Sequence, residues 1–160
     1  MNAEQKHFEL NPIGSVQVDE EKGLFFLKID ELYREALNQL DQFSHVMVFW
    51  WADRMDTPQY RKVLTAQLPY AKNVKAGVFA CRSEYRPNPI ALTTTMVLNV
   101  DLENGVVIVP WMDAFDGTPI LDLKPYILCT DRVRDVRVAD WMSDWPDWME
   151  DAGEYFAQHE

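Results

Sequence analysis

The run His45 to Ala52, HVMVFWWA, is nearly unbroken in apolar and aromatic residues, and its length is that of a strand. Polar alternation disappears only where neither face of a strand meets water, so this run fits a strand buried on both sides or lying at an interface. Trp50 and Trp51 then point to opposite faces. Both indoles serve as plain core, or one of them, with Trp51 the candidate, faces a cationic ligand. Asp53 and Arg54 follow as the strand ends, a usual place for site residues and equally for a solvated surface pair.

Around this strand the rest of the chain supplies partners. Ile13 to Val18 and Leu24 to Ile29 are β-rich runs joined by Asp-Glu-Glu-Lys-Gly, which predicts a hairpin. Behind Asp30 as N-cap, the spacing of Leu32, Ala36, Leu37 and Leu40 predicts an amphipathic helix over Glu31 to Leu40 that covers one face of a sheet. Tyr60 to Leu68 reads as a short helix. Met96 to Val100 and Val106 to Val109 flank Asn104-Gly105, a hairpin signal. Asp131 to Val138, DRVRDVRV, reads as a further strand with Arg132 and Arg134 on one side and Arg137 on the other. It is either a phosphate-contacting surface or an edge strand blunted by charge. Asp144 as cap and Pro146 in the first turn predict a terminal helix with an apolar stripe of Trp148, Met149, Ala152 and Phe156. With Trp141 and Trp145 nearby, that stripe must dock on its own domain or on a partner subunit.

The expected fold is therefore mainly β: one barrel-like domain over residues 11–138, a polar leader at 1–10, a few helices, and an appended C-terminal helix in an acidic, Trp-rich segment at 139–160. A chain of 160 residues with 48% hydrophobic content can bury such a core without staples. Cys81 and Cys129 have neither disulfide-framework nor zinc spacing, and His7, His45 and His159 form no metal-ligand pattern. No stretch is apolar for long enough to span a bilayer and no leader has a signal-peptide core, so a cytoplasmic protein is expected. The formal net charge of −11 argues against nucleic acid, but its distribution weakens that objection. Seven of the 26 acids lie at 140–160, which has no Lys or Arg, leaving 19 acids against 15 bases in the main body.

Two stretches carry chemistry that folding alone does not demand. In GVFACRSEYRPNPIAL, Gly77 to Leu92, each proline pushes the residue before it out of helical geometry, which predicts a stiff, extended backbone with Arg86 and Asn88 on one side. Arg82 precedes them. The segment suits a polar or anionic ligand, or it is a rigid surface connection with solvated arginines. In WMDAFDGTPILDLKPYI, Asp116-Gly117 marks a turn and Thr118, before Pro119, is extended. Turn amides beside a carboxylate and a hydroxyl could hold the polar end of a ligand, although turn chemistry explains the pair equally well.

Together, GVFACRSEYRPNPIAL and DGTPILDLKPYI resemble the signature of the TrmO-like family, also called the YaeB or TsaA-like family. Ile13-Gly14, Ala36-Leu37, Phe43-Ser44-His45 and Lys124-Pro125-Tyr126 fall in the same order, so the resemblance covers residues 11–128. It implies a β-barrel methyltransferase that works as a homodimer, binds S-adenosylmethionine near the subunit interface, and methylates threonylcarbamoyl-adenosine in tRNA. By position, Arg82 and Leu92 match residues lining the cofactor pocket, and Asp116, Gly117, Thr118 and Pro119 match the loop closing on it. Arg86 and Asn88 match the motif as well, while Asp122 and Lys124 lie near the loop as candidates for proton handling.

The chain departs from the family pattern in places. Only Asp19 to Gly23 joins the first two strands, where the family has a longer loop that helps wall the cofactor. Asp53-Arg54 stands for a His-Gln pair, Ala91 for a glycine, and the acidic Trp-rich tail has no counterpart. A small-molecule or other non-tRNA acceptor, or a cofactor-binding module without catalysis, are the alternatives these departures suit.

Overall fold

The computed structural model describes residues 8–71 and 73–158, so His7, His159 and most of the polar leader lie outside the described residues. At its centre is β3 (His45–Trp51), paired antiparallel with β6 (Ile90–Met96) on one side and with β9 (Pro119–Pro125) on the other. Its burial alternates. Val46, Val48 and Trp50 are sealed in the core, whereas His45, Met47, Phe49 and Trp51 keep part of their surface. One face is thus dry and the other is half-covered, where the sequence suggests burial on both sides. Trp50 meets the polar demand of its indole by donating from Nε1 to Thr93 Oγ1 at 3.0 Å, both groups being buried.

Outward from β9 come β1 (Gly14–Asp19) and β2 (Leu24–Ile29), the expected hairpin, paired from Gly14 opposite Ile29 to Asp19 opposite Leu24. The sheet continues through β8 (Val106–Val109) to β7 (Asn99–Asp101), giving the order β6-β3-β9-β1-β2-β8-β7. Gly105 closes the β7–β8 turn at φ 68°, a conformation for which glycine is suited. Met96 belongs to β6 and not to this hairpin, since β6 runs to Met96 before Val97 and Leu98 carry the chain to the opposite edge. No ladder joins β6 to β7 among the described residues, so the mainly β class stands as a seven-stranded sheet whose two edge strands, separated only by Val97 and Leu98, curl toward each other. The core joins Val16, Leu27, Ile29, Val107, Val109 and Ile120 to the buried side of β3. Each such side chain contributes about 1.5–3 kcal/mol by leaving water.

The helical expectations are corrected in detail. Over the expected Glu31–Leu40 helix the chain forms 3-10 turns at Glu31–Leu37 and Leu40–Gln42, interrupted by Gln39 at φ 68°. Asp30 makes no side-chain cap. Gln39 in the left-handed region cannot continue a right-handed repeat, so Leu37 and Leu40 reach the core from separate turns while Leu32 stays exposed. Tyr60 to Leu68 is helical only at Tyr60–Lys62, because β4 (Thr65–Gln67) then pairs with β5 (Lys75–Gly77) in a separate hairpin.

Asp131 to Val138 is not a strand. A short helix, α1 (Leu128–Asp131), ends there; Asp135 is left-handed at φ 52°, and Val133, Val136 and Val138 are exposed and pair with no strand among the described residues. The terminal helix α2 (Met149–Ala157) starts later than Asp144, whose carboxylate instead accepts from the Tyr155 hydroxyl at 2.9 Å. Its stripe holds the tail through rings: Trp145 lies 4.9 Å from Phe156, 6.0 Å from Trp141 and 5.1 Å from Tyr70 in the β4–β5 connection. The tail thereby touches its own chain. No helix among the described residues is long and apolar enough to cross a membrane.

Candidate functional site

Topology brings the two motif stretches to one end of the sheet. β6 and β9 both run antiparallel to β3, so the residues leading into each sit beside the end of β3. Ile90 pairs with Trp51 and Ile120 with Trp50. The start of β6 and the start of β9 therefore flank the Trp-Trp pair two strand spacings apart, roughly 10 Å. The Ala52 amide ties this junction by donating to the Pro89 carbonyl at 2.9 Å. The same end carries the short β1–β2 turn and the loop from β8 to β9, because β2 opens and β8 closes there.

The first stretch is not simply extended. It contains a 3-10 turn at Val78–Ala80, then bends through Arg86 to Asn88, and its prolines hold the φ that such bends require. Arg86 turns back on its own loop, donating from Nη1 to the Ser83 carbonyl at 3.2 Å and the Cys81 carbonyl at 3.4 Å. Arg86 thus shapes the wall and does not share a free side with exposed Asn88. Arg82 is exposed and makes no hydrogen bond or ion pair among the described residues, which leaves its donors available. Leu92 is half-buried in β6 opposite Phe49.

In the second stretch Asp116 Oδ1 accepts from the Val18 amide at 2.9 Å, and the Gly117 amide donates to the Val16 carbonyl at 2.8 Å. The Val16 amide returns a bond to the Thr118 carbonyl at 2.9 Å. These bonds pin the loop to β1 and consume the turn amides that the sequence offered to a ligand. Thr118 is buried, so its hydroxyl faces the protein. Pro119 opens β9 opposite Ser15. Gly117, at φ 81°, is the open point: a Cβ there would meet nothing within 4 Å. A ligand can approach the backbone at that position.

A second layer fixes these loops and was not legible as a motif. Asp56 accepts from the Trp51 indole at 3.0 Å and from Arg61, whose Nη1 also reaches the Pro87 carbonyl at 3.5 Å. The Arg61 guanidinium holds the Asp56 carboxyl below its ordinary range, with the Trp51 bond adding to the effect. Trp51 is thereby tied to the proline-rich bend instead of standing free. Arg54, by contrast, lies with its guanidinium carbon 4.0 Å from the centre of the Phe115 ring, bridging the end of β3 to the residue before Asp116. Asp53 beside it is exposed.

Glu84 is the carboxylate placed nearest the first stretch's centre. It is half-buried, and burial first, then the charge of Asp113 in the opposite loop, push its carboxyl above the ordinary value. Asp122 and Lys124 are bonded to each other at 2.7 Å, on β9 opposite Phe49 and Met47 and away from the loop ends. Surface clefts of about 440 and 460 Å³ lie along the β1–β2 hairpin and beside Arg34, and neither is lined by Arg82, Glu84 or Gly117. No group of three or more metal-ligating side chains occurs among the described residues.

Comparison with known proteins gives these features a context. A family model described as the tRNA-methyltransferase O N-terminal domain matches residues 3–132. The chain is 34% identical over 100 residues to an S-adenosyl-L-methionine-binding protein of Archaeoglobus fulgidus, covering 62% of this chain and 67% of that one. It is 37% identical over 103 residues to a tRNA (adenine(37)-N6)-methyltransferase of Mus musculus, covering 64% of this chain but 23% of the mouse protein. Among solved structures, a crystal structure of TrmO superimposes with a TM-score of 0.66 at 25% identity over 86% of this chain and 64% of that one.

Proposed function

We propose, from the premise that this chain belongs to the tRNA-methyltransferase O N-terminal domain family, that it is an S-adenosylmethionine-dependent methyltransferase acting on adenine in tRNA, with threonylcarbamoyl-adenosine as the acceptor. The observation that carries the reading is the convergence of Gly77–Leu92, Ala52–Arg54 and the β8–β9 loop at one end of the sheet. Residues 11–138 form the catalytic domain and 139–160 an appended segment.

The residues present suit the cofactor. Arg82, without a protein partner among the described residues, offers a guanidinium to a carboxylate. The open face of Gly117 admits a ligand to the loop backbone, and Asp116, exposed beside it, offers an acceptor to hydroxyls. Leu92 and Trp51 supply half-buried apolar surface, and Thr118, Pro119 and Arg86 hold the loops in shape.

When bound, S-adenosylmethionine supplies an electrophilic methyl group on a sulfonium. The chain's own contribution is placement, since displacement at a methyl carbon gains most from a fixed near-attack geometry in a dry site. An adenine-type nitrogen must also lose a proton, and Glu84 fits the acceptor role better than Asp122 or Lys124. Its carboxyl has no hydrogen-bond partner among the described residues and is held at raised basicity, whereas those two are occupied with each other. The clefts along the β1–β2 hairpin and beside Arg34 do not include Arg82, Glu84 or Gly117, and Phe79 and Ile90 are exposed in the Gly77–Leu92 stretch. A homodimer seated on Phe79 and Ile90 supplies the missing wall and leaves the β8–β9 loop open, in a cytoplasmic setting.

The test is transfer of a labelled methyl group to tRNA from cells lacking the modification. The expected result is label on adenine that requires the cofactor; a silent assay with the cofactor demonstrably bound would reject tRNA as acceptor.

A further inference from the structure

Arg54 and Phe115 answer a question the cofactor reading leaves open, which is how so acidic a chain would grip an RNA acceptor. With 19 acids against 15 bases even outside the acidic tail, phosphate neutralisation is a weak source of affinity. Recognition of unpaired RNA has a second source, the stacking of splayed bases on aromatic rings and arginine planes. Such a platform needs an exposed ring, an unengaged guanidinium, and a position at the mouth of the site.

The pair meets each condition. Phe115 is 49% exposed, a large ring left in water directly before Asp116 and Gly117. Arg54 is exposed and makes no hydrogen bond or ion pair among the described residues; its contact is with the Phe115 ring at 4.0 Å. Arg61, the other arginine near a ring at this end, is committed to Asp56 and Pro87 and cannot serve. The contact also spans the site: Arg54 follows the strand end anchored to Pro89 through Ala52, and Phe115 accepts the Thr118 amide in the loop that opens β9. Trp111, 56% exposed in the same loop, adds a second ring for a neighbouring base. We infer that the Arg54–Phe115 pair is the stacking platform for the purine base of an unpaired RNA loop, a specificity element for the acceptor. This rests on the methyltransferase reading of the same site.

The probe is an anticodon stem-loop RNA carrying threonylcarbamoyl-adenosine at position 37, the position named for the mouse relative, followed by fluorescence anisotropy at fixed salt with saturating cofactor. Phe115→Ala is expected to weaken RNA binding roughly five- to 150-fold, the range for loss of one base stack. Phe115→Tyr keeps the ring and is expected to keep affinity. The salt dependence of Phe115→Ala stays that of the parent, because no charge is removed. Calorimetric affinity for S-adenosylmethionine is expected to be unchanged in both variants, and thermal melts report their folding. Equal RNA affinity of Phe115→Ala and parent, or a parent that binds cofactor but not the RNA, would overturn the platform while leaving the cofactor reading intact. A parent that binds no cofactor overturns both.

Discussion

At the scale of single residues, Glu84 makes the sharpest claim about protons. Its carboxyl is raised from an ordinary value of 4.5, chiefly by burial and then by Asp113. The fold therefore favours the protonated form. Its contribution to stability is full below 4.5 and is lost as pH rises through the higher folded value. Glu84→Gln cannot ionise and escapes that loss. The melting-temperature difference between Glu84→Gln and parent should grow in the variant's favour as pH rises above 4.5 and then level off, and a difference flat across that window would contradict it. Sequence reading reached Arg82 and Gly117 through motif and turn chemistry, yet passed over Glu84, Phe115, Asp56 and Arg61. No period or spacing marks them, since their significance comes from loops that only strand pairing brings together.

At the scale of elements, legibility followed the source of order. The β1–β2 and β7–β8 hairpins and β3 were readable because their residues alternate or run apolar between turn signals, and pairing along the sheet enforced what the pattern proposed. The segments at 31–40, 60–68 and 131–138 were misread where an amphipathic or alternating pattern had no partner to enforce it. Gln39 and Asp135, both left-handed, break the regular repeat outright. The element that matters most for the site is the irregular stretch after β3, where Asp56 ties Trp51 and Arg61 to the proline-rich bend. Asp56→Ala should cost about 1 kcal/mol, as for loss of a typical hydrogen-bonded partner, shift the emission of Trp51, and weaken cofactor binding. Asp101→Ala, which removes comparable bonds to Asn104 in the β7–β8 turn at the far end, should cost stability without altering cofactor affinity. Equal cofactor affinity in Asp56→Ala and parent would separate this network from the site.

At the scale of the molecule, the sheet acts as a jig. Neighbouring strands antiparallel to β3 deliver the residues before Ile90 and before Ile120 to one end, so motifs some 30 residues apart in sequence become two sides of one opening. The acidic tail does not enter that opening through any ring contact described; it packs through Trp141 and Trp145 on Tyr70, whose hydroxyl is pushed up by burial and then by Cys81. The most direct measurement is calorimetric titration of S-adenosylmethionine into the full chain, the Arg82→Ala variant and the Gly117→Ala variant. The parent should bind, and each variant should bind at least about tenfold more weakly, a loss of about 1.4 kcal/mol, from the missing guanidinium or, at Gly117, from a methyl group in the open approach together with strain at φ 81°. A parent that does not bind, or variants that bind as tightly as the parent, would contradict the assignment of this end of the sheet as the cofactor site.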